Sequence, residues 1–324
     1  MYRAEFLFHH VDELVDDNEV YPICVPTYNR PNAYLVKNFA DKLPIVIFIR
    51  REQEELYSEY KGVCPIVLLD NVTNIGETRA AIVDWAYQSG YDNIFMMDDD
   101  ISCGTFLVPG KSSKSDKYFM KFYETVNNLP WGLSLKFFKM WVWMIKHCDE
   151  KLTLSGPGAR SDFWDLKNAD MKLPYNSNSV IQCIHLNVSN LKENNINYGS
   201  NEEEGAEDYA LQYKLMTEGL YSLALRDLAF VVPGVGSGTG GNNAIEEEKL
   251  HTRYKEYIRR FMENVLDEEN AHRVGTKTSK GGIPSVKFNW LRWKIKDKYF
   301  YYSVESIQKE LDERFDNEST QDYV

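Results

Sequence analysis

The chain has 324 residues, 43% hydrophobic and 14% aromatic, enough to bury a substantial core as one large α/β domain with a tail or as two smaller domains. Lys and Arg number 37 against 49 Asp and Glu, a formal charge of −12, which excludes a whole-surface polycation that coats nucleic acid but not a local basic patch. The same composition excludes a disordered, collagen-like or disulfide-scaffold protein.

Five scattered cysteines (Cys24, Cys64, Cys103, Cys148, Cys183) form no CxxC pair, the pattern of reduced core thiols in a cytosolic compartment. The first residues, MYRAEFLFHHVDELVDD, turn acidic where a secretory leader needs an apolar core. The most apolar stretch, 137–145, is too short for a membrane span and contains Lys139. The expectation is a soluble cytoplasmic protein, in the host cytoplasm if phage-encoded, with no membrane partner.

In chain order, 20–26, 45–50, 64–70 and 93–98 are short apolar runs rich in β-branched residues, predicted as buried parallel strands. Between them 33–43, 52–60 and 77–89 are predicted helices, the last with Ala81, Ile82, Trp85 and Ala86 on one face and Gly90 as its stop. Strand and helix alternating at this spacing give a doubly wound, Rossmann-like sheet. Past Asp100, residues 104–117 are rich in Gly, Ser and Lys and are predicted as a loop, while 137–145 and 180–188 are predicted as further strands. A helix over 207–218 closed by Gly219, a strand over 223–232 and a Gly-rich loop over 234–241 follow. From residue 244 the chain is predicted as a helix, a basic aromatic segment and a second helix with an acidic tail.

Three segments fall at strand or helix ends, where α/β proteins bind ligands. Met97-Asp98-Asp99-Asp100 ends an apolar strand; in extended chain Asp98 and Asp100 point the same way, and two hard carboxylates suit Mg²⁺ or Mn²⁺ with phosphate oxygens. Pro26-Thr27-Tyr28-Asn29-Arg30-Pro31 offers a hydroxyl, a stacking face and a guanidinium. Asn74-Ile75-Gly76-Glu77-Thr78-Arg79 sets Arg79 near a helix N-terminus, an anion site. Taken singly, these have plainer readings as a solvated acidic turn, a strand-to-helix turn and a surface arginine.

Together PTYNRP, NIGETRAA and MMDDD resemble the nucleotide-sugar half of a GT-A-fold glycosyltransferase. The resemblance implies a divalent ion (Mn or Mg) on an Asp-X-Asp motif, with Asp100 the direct ligand and Asp98 a ribose or metal contact. Asp99 then supports the turn on the donor side, and Pro26, Thr27, Tyr28, Asn29, Arg30 and Arg79 line the donor site. Glu207-Asp208 opens a helix, where acidic residues are ordinary caps. Inverting enzymes of this fold carry such a pair, which implies Asp208 as the base and Glu207 as its orienting partner. The glycines of 234–241, among them Gly240 and Gly241, suit a diphosphate grip or equally a flexible linker. His251 completes the metal site in the same resemblance, against the plainer reading of a lone surface or core histidine; His185, on an apolar strand, is read as structural.

Basic residues concentrate over 271–302: Arg273, Lys277, Lys280, Lys287, Arg292, Lys294, Lys296 and Lys298, against Asp297 alone. Phe288, Trp290, Trp293, Tyr299, Phe300, Tyr301 and Tyr302 are interleaved. Such a segment either grips phosphates and stacks on bases or docks its aromatics on the core with its lysines in solvent; both readings stand. Lys111, Lys114, Lys117 and Lys121 extend the same face on the first.

The whole resembles the TET-associated glycosyltransferases of bacteriophages over about residues 20–245. That implies a mixed α/β GT-A sheet flanked by helices over 1–245, with a donor half over about 20–104 and an acceptor half over about 105–245; the helical C-terminal extension over 246–324 lies outside the resemblance and is read from the residues. The resemblance also implies transfer of glucose, or a pentose such as arabinose, from a UDP-linked donor to 5-hydroxymethylcytosine in phage DNA, with inversion. A glycan, lipid or protein acceptor, a nucleotidyltransferase using the same aspartates, and an inactive nucleic-acid-binding module are the alternatives.

Overall fold

The computed structural model describes residues 2–111, 118–123, 127, 132–159, 164–165, 172–199, 206–231, 247–278 and 284–321. Four parallel strands, β1 (Ile23–Pro26), β2 (Ile45–Arg50), β3 (Ile66–Leu69) and β4 (Asn93–Met97), lie in the order β3-β2-β1-β4. Both faces of these strands are covered, which is why they read as unbroken apolar runs. Along β2, Ile45, Ile47 and Ile49 enter one core while Val46 and Phe48 enter the other; along β4, Phe95 and Met97 divide in the same way from Ile94 and Met96.

The sheet continues past β4 as β10 (Cys183–Asn187), β7 (Leu152–Ala159), β11 (Tyr221–Val231), β5 (Cys103–Lys111), β6 (Tyr118–Phe122) and β8 (Trp164–Asp165), ten strands among the described residues. β10 runs antiparallel to β4 and β7, and β5 antiparallel to β11, so the sheet is mixed. One core holds the helices Arg3–Leu14, Tyr34–Phe39 and Leu135–Lys146; the other holds Ile75–Gln88, Val188–Glu193 and part of Glu207–Thr217. Among the described residues no helix is long and apolar enough to cross a membrane.

Three expectations are corrected. Residues 137–145 are not a strand but most of the Leu135–Lys146 helix, capped by the Ser134 hydroxyl, which accepts from the Phe137 amide. Every residue from Phe137 to Met144 is buried, Lys139 included, whose ammonium reaches Asp12 and Asp17. A helix buried all round has no apolar stripe, so its run is indistinguishable from that of a buried strand. The stretch 104–111, expected as loop, is strand β5. Gly104 belongs there because a Cβ would lie 2.5 Å from Leu133 and 2.9 Å from Phe137, so the glycine lets strand and helix approach. The expected helix over 52–60 is a 3₁₀ segment, Arg51–Tyr60, kinked at Tyr57.

The basic aromatic segment resolves into a hairpin, β12 (Val274–Thr278) with β13 (Pro284–Phe288), a helical turn Trp290–Trp293, and β14 (Tyr299–Phe300), which pairs with β9 (Leu173–Pro174). Its aromatics divide. Phe288, Trp293, Phe300 and Tyr302 are buried, so docking claims them; Tyr299 and Tyr301 remain exposed. Val274, Val286, Phe288 and Trp293 form a third core with Ala206, Ala210, Tyr213 and Met216 around the Glu207–Thr217 helix and with Ile258 and Phe261 after it. The last helix, Val304–Gln321, returns Ile307 and Leu311 to the first core.

Candidate active site

Strands β1 and β4 are neighbours in register, Cys24 opposite Met96, so the segments that follow them emerge side by side at one sheet edge. The two are then tied together by Asp99, which is buried. Its Oδ2 accepts from the Thr27 hydroxyl at 2.6 Å and its Oδ1 from Arg30 Nη1 at 2.8 Å. Burial pushes the Asp99 carboxyl up, and the Thr27 hydroxyl and Arg30 oppose that. The kink at Tyr57 brings its hydroxyl to Thr27 Oγ1 and the Arg30 amide, both at 3.0 Å. Asn29, at φ 57, is held by Gln53, whose Nε2 donates to Asn29 Oδ1 at 2.6 Å. Tyr28 is left 45% exposed, with the Arg50 guanidinium 4.3 Å from its ring.

The Ile75–Gln88 helix starts at Asn74, whose side chain accepts from the Glu77 amide at 2.9 Å, while the Glu77 carboxylate accepts from the Thr73 amide at 2.6 Å and its hydroxyl at 2.8 Å. A Cβ on Gly76 would lie 3.2 Å from the Gly199 carbonyl and 3.6 Å from Glu207 Cβ, so the glycine admits the start of the Glu207–Thr217 helix against this turn. Across that contact Arg79 is buried among three carboxylates. Its Nη1 donates to Asp208 Oδ1 at 2.5 Å and to Glu207 Oε1 at 3.1 Å, and its Nη2 to Asp98 Oδ1 at 2.9 Å. The Tyr198 ring lies 5.7 Å from the guanidinium.

Three carboxylates face one guanidinium, and the titration of the cluster follows. Burial alone would lower Arg79, but Asp208, Asp98 and Glu207 more than reverse this, and it stays charged. Burial pushes Glu207 up to about 7 against the pull of Arg79, with Asp208 adding to the rise. Asp98 rises to about 6 for the same first cause, with Asp208 and Asp100 adding to it. Asp98 keeps 26% of its side chain exposed, so it borders the cleft rather than the core.

The triple aspartate departs from extended alternation, because the strand ends at Met97. Asp98 faces Arg79, Asp99 faces Thr27 and Arg30, and Asp100 Oδ2 lies 3.8 Å from Arg30. Asp98 and Asp100 therefore share no protein partner, and no group of three His, Cys, Asp or Glu residues that could hold a metal exists among the described residues. Asp100 Oδ1, however, is buried with no hydrogen-bond partner, a lone acceptor that fits a cation.

His251 belongs to the Glu247–Arg260 helix, but its side chain lies outside the described residues, as do Gly240 and Gly241. Lys114 and Lys117 lie outside them too. His185 is structural: it is buried, pushed down to about 3 by that burial, and placed between Ser155 and Asn93. Sequence reading missed Tyr57, Gln53 and Gln182. Gln182, at φ 68, accepts the Asp98 amide on its carbonyl at 2.9 Å. None of the three carries a local signal, since each acts through a contact made by folding.

A family model for TET-associated glycosyltransferases matches residues 21–240, more than half of the chain and all of the site just described. The chain belongs to that family. No curated protein matches this TET-associated glycosyltransferase. Among solved structures it is similar to S. aureus TarS 1–349, at 14% identity and TM-score 0.40, over 77% of this chain and 76% of that one. The complex of the same TarS fragment with UDP-GlcNAc gives 12% identity and TM-score 0.41, over 78% and 69%. GalNAc-T7 with UDP, GalNAc and Mn²⁺ gives 9% and 0.37, over 75% of this chain and 47% of that one. The family match ends before the Glu247–Arg260 helix and the glycosyltransferase's basic hairpin.

Proposed function

We propose that this glycosyltransferase moves a sugar, glucose or a pentose such as arabinose, from a UDP-linked donor to the hydroxymethyl oxygen of 5-hydroxymethylcytosine in phage DNA, with inversion. The observation that carries the reading is the Arg79 bridge. A donor-motif carboxylate, Asp98, and the base expected from the sequence, Asp208, lie within reach of one guanidinium. Donor and acceptor chemistry then share one cleft.

In this reading Tyr28 stacks on the donor base, and its exposure leaves a face for it. Arg79 fixes Asp208 through Oδ1 and leaves Oδ2 without a hydrogen-bond partner among the described residues. Asp208 takes the proton of the acceptor hydroxyl as that oxygen bonds to the anomeric carbon. The bond from this carbon to the diphosphate breaks, and its electron pair leaves with UDP. Glu207, on the same guanidinium, keeps the first turn of the helix in place. Asp100 and Asp98 would hold a divalent cation, which supplies charge to offset that developing on the diphosphate.

What supports DNA over a glycan or protein acceptor is the family's TET association together with the basic segment 271–302 in an acidic chain. The test is mass spectrometry of nucleosides after DNA containing 5-hydroxymethylcytosine is incubated with the protein, Mn²⁺ and UDP-glucose, UDP-GlcNAc or UDP-arabinose in turn. A nucleoside heavier by one sugar residue is expected with one of these donors. Labelling of a glycan or protein, with DNA left unmodified, would reject the acceptor.

A further inference from the structure

Leu291 is 90% exposed, whereas the other exposed large apolar side chains among the described residues are between 37% and 55%. Lone exposed leucines are ordinary; its setting is not. Leu291 sits in the turn Trp290–Trp293, next to Arg292 and close in sequence to Lys294 and Lys296, all exposed. The turn is built rigidly. The Arg292 amide donates to the Asn289 carbonyl and the Lys294 amide to the Trp290 carbonyl, both at 2.8 Å. Beneath it Trp293 is buried, with Arg273 4.9 Å from its ring.

The hairpin beside this turn is two-faced. Val274 pairs with Phe288 and Thr276 with Val286, and Val274, Val286 and Phe288 are buried against the Glu207–Thr217 helix. Alternation puts Lys277, opposite Ser285, and Lys287, opposite Gly275, together on the other face, and both are exposed. Lys277, Lys287, Lys294 and Lys296 make no ion pair among the described residues. In a chain of net charge −12 these lysines give one face a local positive charge that favours an anionic partner.

The module also connects to the site. Tyr209 follows Asp208 in the chain, its ring is 6.2 Å from that of Phe288, and Phe288 is 4.9 Å from Trp290. Two ring contacts thus separate the residue after the base from the turn that bears Leu291. Resting on the DNA reading above, we propose that the β12–β13 hairpin and the Trp290–Trp293 turn hold the acceptor duplex. Lys277, Lys287 and Lys294 contact phosphates, and Leu291 enters the base stack when the target cytosine is extruded toward Asp208. A base inside a duplex cannot present its hydroxymethyl group to a cleft, and an aliphatic wedge stabilises the gap that extrusion leaves. Of the interleaved aromatics expected to do this from the sequence, Phe288, Trp293, Phe300 and Tyr302 are buried and Tyr299 and Tyr301 are 41% and 51% exposed; Leu291, at 90%, is the most exposed large apolar side chain among the described residues. Leu291 is a positioning residue, since it acts on the stack and not on the reacting atoms.

The test uses the full chain, the Leu291→Ala and Leu291→Met variants and the triple variant Lys277→Ala/Lys287→Ala/Lys294→Ala. The probe is a fluorescein-labelled duplex with one 5-hydroxymethylcytosine beside a 2-aminopurine, and the same strand unpaired. Wild type is expected to raise 2-aminopurine fluorescence in the duplex. Leu291→Ala, on a side chain with nothing to unfold, loses that rise and about ten-fold in duplex transfer relative to single-strand transfer, with the salt dependence of binding unchanged. Leu291→Met restores most of the ratio. The triple variant lowers the slope of log affinity against log salt by about 1 per lysine. Wild-type transfer to hydroxymethylated DNA with Leu291→Ala and the triple lysine variant both behaving as wild type overturns this surface and leaves the function standing. Wild type that neither binds nor modifies DNA overturns both. An equal loss on both DNA forms with a changed mass in light scattering makes Leu291 a contact between copies of the chain and overturns the wedge.

Discussion

Asp98 and Asp208 are held by one guanidinium: Arg79 donates to Asp98 at 2.9 Å and to Asp208 at 2.5 Å. One carboxylate follows β4 and the other opens a helix of the later half of the chain, so the bridge sets how the two parts of the cleft meet. Arg79→Ala is expected to lower stability by about 3 kcal/mol, because it leaves the buried Glu207 and the part-buried Asp98 and Asp208 with no counter-charge. Arg79→Lys keeps the charge but lacks the fork that reaches all three. It is expected to fold and to lose roughly 100-fold in turnover. Thermal unfolding and steady-state transfer measure the two effects separately.

Tyr28 is exposed at the end of β1, with Arg50 against its ring. If it stacks on the donor base, Tyr28→Ala raises the donor KM by roughly ten-fold or more while kcat changes little, and Tyr28→Phe restores it. A fall in kcat at constant KM would place the base elsewhere.

Glu207 and Asp98 have folded values raised by burial to about 7 and about 6. A carboxyl that binds its proton more tightly when folded contributes stability below its unfolded value and loses it as pH rises through the folded one. The melting temperature is therefore expected to fall between about pH 4.5 and pH 7 through Glu207 and between about pH 4 and pH 6 through Asp98. Glu207→Gln should flatten the upper part of that fall. A melting temperature that rises steadily across this window would refute the assignment.

Asp100 Oδ1 is buried without a hydrogen-bond partner, an acceptor that a cation would satisfy. Asp100→Asn is expected to abolish the rise in transfer that Mn²⁺ produces in wild type, with the unfolding free energy within about 1 kcal/mol of wild type. Transfer that still titrates with Mn²⁺ at the wild-type midpoint would move the cation to other residues.

The parallel half of the sheet was legible because residues buried on both faces leave unbroken apolar runs rich in β-branched residues, and strand ends then place PTYNRP and the triple aspartate together. The helix over Leu135–Lys146 was not, since a segment buried on every side has no period to display. Asp98 was named as a candidate from a local motif and Glu207 and Asp208 from the family resemblance, but neither route gave the role of Arg79. As a sequence feature it read as an anion site or a surface residue, whereas folding surrounds it with three acids. Asp99 shows the same limit: its neighbours Thr27 and Arg30 were named for the donor, yet both spend a hydrogen bond on tying β1 to β4. The basic segment carried a true charge signal, while the burial of its aromatics depends on the helix beneath them.

The most direct measurement compares wild type with Asp208→Asn on DNA containing 5-hydroxymethylcytosine, reading sugar-bearing nucleoside by mass spectrometry and UDP affinity by calorimetry. Wild type should yield the modified nucleoside, and the variant should yield none while holding UDP within about two-fold of the wild-type affinity, as expected of a group that removes a proton and leaves the donor untouched. Modified nucleoside formed at the wild-type rate by Asp208→Asn would contradict a cleft in which Asp98 and Asp208 serve one reaction.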